Sequence, residues 1–570
     1  MNGALGTERD SDPPRSSEES DAGSPTPTPN RWLRPRAPLL IVCFLYLALS
    51  AHLLYGELAG TGQLTYPLDD TYITMAMAKN LALGGIWGLT PDRFSPSSSC
   101  PGFLLLLAGA YRLKGPTVWW PLALSLTFGM LALIAAWRLL RGIHPAIQAI
   151  AVLAITILTP LHVLGVLGME HTLHVMLILV FLDLTSRALA KGQPLSWSAL
   201  LLAAAMVSVR YESLFAIAVA GLLFLVQRQV RAALSLGGAA ATPVAIYGIA
   251  AVLHGDYWLP NSIALKGVST NAVAQAPMEL AHHFVSCLAR APYMGALLAV
   301  IIALLTVPSV HVNKRARVIL IMVFGTTLIH LTLADVGWVY RYEAYLIAAT
   351  IAAIACALPC VKISRDRWAA AAILVFGTVG LCMLLGRTVK AEWSLPQRSI
   401  AIYSQQVQIA RFLSLFEEGA TVAANDVGAI NYYANIHCLD LVGLGDQDVF
   451  WLRHRGMYST QNLTRLAAAR GVQIAVVYDS WFSISPVNQF SGPPLPLSWI
   501  RVARWHTPYG YYLGSDTVSF YAANPTNAEK LQYSLGLFAP SLPRDVRVYN
   551  EYVVSPSPIF ARPENSQGAR

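Results

Sequence analysis

Charge is scarce in this chain: 12% of its 570 residues are Asp, Glu, Lys or Arg, against about a quarter in soluble globular proteins. Together with a hydrophobic content of 55%, that deficit excludes an ordinary soluble multidomain protein. Cysteine is sparse as well. The seven present include no CxxC pair, so neither a zinc ribbon nor a dithiol redox motif is signalled. Cys43, Cys356, Cys360 and Cys382 lie in apolar runs, where cysteine behaves as a small hydrophobe. Cys100, Cys287 and Cys438 lie outside those runs and leave room for one disulfide, which spacing does not assign. No internal repeat of roughly 20 to 50 residues occurs, which argues against a solenoid or propeller. The charged stretch before the first apolar run is too long and mixed for a signal peptide, and no A-x-A cleavage site follows it.

What is present is a series of apolar blocks of roughly 17 to 22 residues, the length that spans a bilayer core. Helices are expected near 38–55, 118–137, 144–163, 170–187, 196–210, 213–227, 232–252, 291–308, 317–334, 343–361 and 368–387. If the first enters from the cytoplasm, one side receives the junctions holding Arg138 and Arg141, Arg187 and Lys191, and Arg228 and Arg231. The same side receives Lys314, Arg315 and Arg317, then Lys362, Arg365 and Arg367, as the positive-inside rule requires. The net charge of +9 therefore reads as topology, with no nucleic-acid partner implied. Block 101–113 would break the alternation, so it is expected to lie at the interface, with Arg112 and Lys114 reaching water.

The expected architecture is an all-α polytopic membrane bundle of about eleven transmembrane helices followed by a C-terminal soluble α/β domain. Residues 1–36, rich in Ser, Pro, Asp and Glu, read as a disordered cytoplasmic tail. Residues 37–389 form the membrane domain with a first outer loop at 56–117, and 390–570 lie outside the cell membrane. Strands are expected at 421–425, 473–478, 501–505 and 517–522, with a helix at 461–471.

The orientation gathers polar residues on one face. The first outer loop carries Asp69 and Asp70 ahead of a helical pattern through Asn80. Such a pair either caps the helix it precedes or does acid–base work, because a carboxylate near the bilayer is costly to desolvate. Glu170 and His171 follow the third helix. Asp256, Asn261 and Lys266 follow the seventh, and Asp335, Tyr340, Arg341 and Glu343 the ninth. Carboxylates beside Lys and Arg suit deprotonation of an acceptor hydroxyl and neutralisation of a phosphate leaving group. Glu170 and His174 share a helix face and could hold a divalent cation, although two ligands do not make a site. Asp426, Asp440 and Trp481 are acceptor-side candidates, the aspartates at strand ends and the indole as a platform for a sugar ring. A transporter or lipid-linked sugar flippase is the alternative class, but its ionisable groups would sit at mid-membrane.

The order of these features resembles the GT-C superfamily of membrane glycosyltransferases, which take sugars from polyprenyl-phosphate carriers. The first loop, DDTYITMAMAKNLALGG and then FSPSSSCPGFLLLLAGAYRLKG, is similar to that of the actinobacterial arabinofuranosyltransferase-like branch. The GME at 168–170, RYE at 210–212, PNSIALK at 260–266, YRYEAYL at 340–346 and the segment 425–446 follow in the order of that branch. Many relatives have Arg-Pro-Glu where this chain has Arg210-Tyr211-Glu212, and a Pro near Glu343-Ala344-Tyr345. The resemblance implies Asp69 or Asp70 as general base and Lys266 and Arg341 as ligands of the donor phosphate. Glu170, Arg210, Glu212, Asn261 and Tyr340 would form a second acidic or substrate site. It also implies a polyprenyl-phosphate-linked sugar donor and a glycan or glycolipid acceptor.

Overall fold

The computed structural model describes residues 37–265, 276–362, 365–483, 488 and 490–552. The expected tail at 1–36 and Lys266 lie outside the described residues. The chain is mostly helical, with a small sheet near its C-terminal end.

An apolar helix occupies each of the eleven expected segments, but they are of two lengths. Six are long and apolar enough to cross a bilayer alone: Ala37–Thr61, Trp119–Leu139, His171–Lys191, Val230–Leu253, Lys314–Leu333 and the one that begins at Arg367. A bent pair, Pro277–Arg290 and Pro292–Leu305, folds by 100° at its break and makes a seventh if it counts as one span. Pro145–Leu158, Trp197–Val209, Ser213–Val226 and Ala344–Cys360 are apolar but shorter. Their rows of Leu, Ile, Val and Ala pack into one continuous core running from Val42 to Leu395. This is a multi-pass membrane protein.

The boundary expected at 389 falls inside a helix. Arg367–Ile402 runs on past it, and a π-helical turn at Tyr403–Val407 joins it to Gln408–Phe416. The C-terminal domain then forms a six-stranded sheet from β1 Thr421–Ala424, β2 His437–Asp440, β3 Ile474–Val477, β4 Ile500–His506, β5 Thr517–Ala522 and β6 Arg547–Asn550. Their order is β2-β1-β3-β5-β4-β6, with β2, β1 and β3 parallel and the remaining pairings antiparallel. Helix Thr460–Ala469 is capped by the Ser459 hydroxyl, which accepts from the amide of Asn462 at 3.3 Å.

The first loop, 56–117, packs both ways: Leu68, Cys100 and Phe103 join the core of the membrane helices, and other residues join that of the C-terminal domain. Helices Asp69–Gly84 and Pro101–Lys114 contribute Tyr72, Met75, Leu104 and Leu107 to the same core as Phe412, Val422, Trp505 and Phe520. Tyr72 is fully buried, its ring within 6.1 Å of those of Tyr66, Tyr432 and Tyr433. Burial of each such ring contributes about 1.5–3 kcal/mol, so this contact holds the first loop firmly. All seven cysteines are unpaired, so no disulfide reinforces it.

Candidate active site

Asp69 opens helix Asp69–Gly84, whose own N-cap position is Leu68, so the acid does not cap the helix it precedes. Its carboxylate instead accepts from the amides of Gly428 (2.5 Å) and Ala429 (2.8 Å), at the start of the short helix Gly428–Tyr433. Burial, and then the neighbouring Asp426, push the Asp69 carboxyl well above the usual carboxylate range. Asp70, one residue on, has a side chain 41% exposed and forms an ion pair with Arg341, which is 3% exposed. The two aspartates that sequence left equivalent therefore have different surroundings.

Arg341 belongs to a loop of unusual backbone. Gly337, Trp338, Val339 and Tyr340 all have positive φ, at 89°, 29°, 57° and 65°. A β-branched residue such as Val339 adopts that region only at a cost, and strain of this kind collects at functional sites. The surroundings that hold it are visible. Arg387 donates to the Tyr340 carbonyl and to Glu343 Oε1, both at 2.7 Å. Glu343 also accepts from Tyr293 Oη at 2.6 Å and from the Gly337 amide at 2.8 Å.

Arg341 also reaches the Met169 sulfur at 2.8 Å, and its guanidinium lies 5.3 Å from the Tyr342 ring centre. Arg210 lies 5.6 Å from the same ring. Arg210 is held by Glu170 at 3.0 Å and by Glu212, to which Nε donates at 3.1 Å. Glu170, Arg210, Glu212, Tyr342, Arg341 and Asp70 thus form one chain of charge and π contact.

Two arginines that sequence reasoning did not single out complete the site. Arg387 lies with its guanidinium 5.2 Å from the Tyr340 ring and 5.5 Å from Tyr293. Arg398, on the same helix, stacks 5.0 Å from Tyr512 and interacts electrostatically with Tyr340 and Arg341. Nε of Arg341, Nη1 of Arg387 and Nε of Arg398 are buried without a protein partner. Buried donors of a cation are costly to leave unpaired, so three of them around Tyr340 suit an anion. In sequence Arg387 and Arg398 look like flanking charges of a long helix. The signal that could have found them is their position on a helix that outruns the membrane.

The remaining candidates take varied places. Asn261 is fully buried, its amide accepted by Pro96 (2.9 Å) and its Nδ2 by Leu444 (3.3 Å), which ties its loop to the C-terminal domain. Asp426 meets Asp69. Asp440 accepts from the amides of Val442 (2.8 Å) and Gly445 (2.6 Å) and so shapes the turn after β2. Trp481 is half-buried, donates to Gly514 at 3.2 Å and lies against Tyr478. His174 contacts Ser213 Oγ at 3.1 Å, while Glu170 faces Arg210. Among the described residues no group of three His, Cys, Asp or Glu is placed to hold a metal ion.

Comparison with known proteins adds the following. A family described as a domain of unknown function (DUF8728) matches residues 398–521. No curated protein matches the chain. Among solved structures it is similar to ArnT from Cupriavidus metallidurans bound to undecaprenyl phosphate, at 10% identity and a TM-score of 0.47 over 86% of this chain and 99% of that one. It is also similar to the Archaeoglobus fulgidus oligosaccharyltransferase in complex with zinc and sulfate, at 13% identity and 0.43, over 90% and 74%. The archaeal oligosaccharyltransferase AglB of the same organism, with an inhibitory peptide and a dolichol-phosphate, gives 12% and 0.38, over 91% and 76%.

Proposed function

We propose that this chain is a GT-C-type membrane glycosyltransferase that moves a sugar, arabinofuranose or a similar pentofuranose, from a polyprenyl-phosphate donor to a cell-envelope glycan or glycolipid. The reaction takes place on the outer face of the plasma membrane, with the amino terminus in the cytoplasm. The observation that carries this reading is an accessible carboxylate, Asp70, paired with Arg341 beside Arg387 and Arg398. A base and an unsatisfied cationic cluster at one place are what transfer from a glycosyl phosphate requires.

In this reading Asp70 takes the proton of the acceptor hydroxyl as its oxygen attacks the anomeric carbon. The bond from that carbon to the phosphate oxygen breaks, and polyprenyl phosphate leaves with the electron pair. Arg387 and Arg398 receive its charge through the guanidinium nitrogens that lack protein partners, with Arg341 between them and the base. The leaving group is already a stable anion, so no general acid is needed. The isoprenoid tail takes the apolar groove of about 820 Å³ lined by Leu214, Ile217, Gly237, Val244 and Trp258.

The test uses the full-length protein in proteoliposomes with a polyprenyl-phosphate pentose and an acceptor glycan. Sugar transfer with stoichiometric release of polyprenyl phosphate is expected, and its loss in Asp70→Asn. Movement of the intact lipid-linked sugar between leaflets with no release would instead establish a flippase.

A further inference from the structure

Helix Asp69–Gly84 grips the short helix Gly428–Tyr433 at both ends. At the start of that helix Asp69 accepts from the amides of Gly428 and Ala429, at 2.5 and 2.8 Å. At its end Lys79 Nζ donates to the carbonyls of Asn431 (3.1 Å) and Tyr432 (2.6 Å). An anion thus meets free amides and a cation meets free carbonyls, the arrangement that helix ends favour. The approach is close enough to demand glycine: a Cβ at Gly428 would lie 2.2 Å from the Asp69 carbonyl oxygen.

A third group closes the contact. The carboxyls of Asp69 and Asp426 lie within hydrogen-bonding reach of each other. Asp426 Oδ2 also accepts from Gln406 Nε2 (2.7 Å) and Tyr478 Oη (2.9 Å). Gln406 comes from the π-helical turn and Tyr478 from the end of β3. Asp69 is buried and Asp426 partly so, and burial together with the neighbouring Asp426 raises the Asp69 carboxyl well above the usual carboxylate range. Gln406, Asp426, Gly428 and Tyr478 all belong to the matched segment 398–521, whereas Asp69 and Lys79 belong to the first loop.

We infer that the segment 398–521 serves the transfer reaction as an aiming device: Asp69, Lys79 and Asp426 are positioning residues that clasp the first-loop helix and so set the direction of Asp70. The inference rests on the reading of Asp70 as the base. It assigns a task to the segment 398–521, and separates the two adjacent aspartates into one that acts and one that holds. Because Asp426 is held by hydrogen bonds from Gln406 and Tyr478, an amide can stand in for its carboxylate but an apolar group cannot.

The experiment compares variants of the full-length protein in proteoliposomes by kinetics and by amide hydrogen exchange. Asp426→Leu is expected to lower kcat about 10²-fold, the scale of an ångström-sized misplacement, with the donor KM within about threefold. Asp426→Asn, whose amide can donate to Asp69, is expected to restore most of that loss. The amides of Gly428 and Ala429 should exchange faster in Asp426→Leu and Asp69→Asn, and at the wild-type rate in Asp70→Asn. Wild-type kcat in Asp426→Leu overturns the inference, as does an Asp426→Asn enzyme no better than the Leu variant. If Asp426→Leu does not fold, Lys79→Met removes the opposite grip, and an unchanged kcat there overturns the inference equally. If the wild-type protein transfers no sugar, exchange still decides: faster exchange in Asp426→Leu upholds the clasp while the reading of Asp70 fails, and unchanged exchange sinks the clasp.

Discussion

Asp70 and Arg341 meet as an ion pair across 271 positions of sequence, one side chain 41% exposed and the other 3%. The exposed member is the carboxylate and the buried member is the guanidinium. A substrate can therefore reach the carboxylate while the guanidinium stays fixed behind it. Asp70→Asn should leave the fold intact and lower kcat by about 10²–10⁴-fold, the range of a positioned general base. Release of polyprenyl phosphate, measured beside the thermal unfolding temperature in detergent, checks both halves of that expectation.

Arg387 and Arg398 separate in a different way. Arg387 is paired with Glu343, at 6% and 0% exposure, so Arg387→Met strands a buried carboxylate. A loss of about 3–5 kcal/mol in stability is expected, together with weaker donor binding. Arg398 has no such ion pair among the described residues, so Arg398→Met should raise the donor KM several-fold with little change in unfolding temperature. Equal thermal shifts in the two variants would contradict this division.

Asp256 supplies a pH dependence. It is buried with neither carboxylate oxygen paired in the protein, and burial lifts it from 3.8 to about 7, outweighing the opposing influence of His254. The raised value means that the folded state favours the neutral acid. Its contribution to stability is complete below about 4 and is lost as pH rises towards about 7. Asp256→Asn should therefore flatten the decline in unfolding temperature between pH 4 and pH 7, and leave the protein more stable than wild type at pH 8. Parallel melting curves for the two proteins across that range would refute the assignment.

Trp505 tests the sheet alone. Its side chain is 1% exposed and lies 4.5 Å from the Phe520 ring and 5.7 Å from Phe538. Trp505→Ala should cost about 3–5 kcal/mol, read by chemical denaturation followed in the near-ultraviolet signal of the C-terminal domain. Loss of the first-loop contact should accompany it, because both share one core.

Much of this architecture could be read from local pattern. Apolar blocks of spanning length mark the helices, and β-branched runs mark β1, β3, β4 and β5, since both signals are periodic and contiguous. β2 and β6 escaped: they read HCLD and RVYN rather than as β-branched runs, and both lie at the edges of the sheet, with β6 largely exposed. The site was legible only as residue types. Asp69 bonds to a helix 359 positions away, and nothing in DDTYIT distinguishes that acid from its neighbour. Lys79 stands in an apolar run and reads as a lone surface lysine until its two carbonyl partners are seen. Composition changes near 389, where the apolar stretch ends, whereas the helix continues to Ile402.

The four short apolar helices have a consequence for the membrane. Trp197–Val209 has 13 residues and Ser213–Val226 has 14. At 1.5 Å per residue such elements reach about 20 Å, short of a hydrocarbon core of about 30 Å. Neither helix alone therefore spans such a core, so a bilayer around this pair must thin locally or the pair must enter and leave from one side, with the Arg210–Glu212 ion pair at its turn.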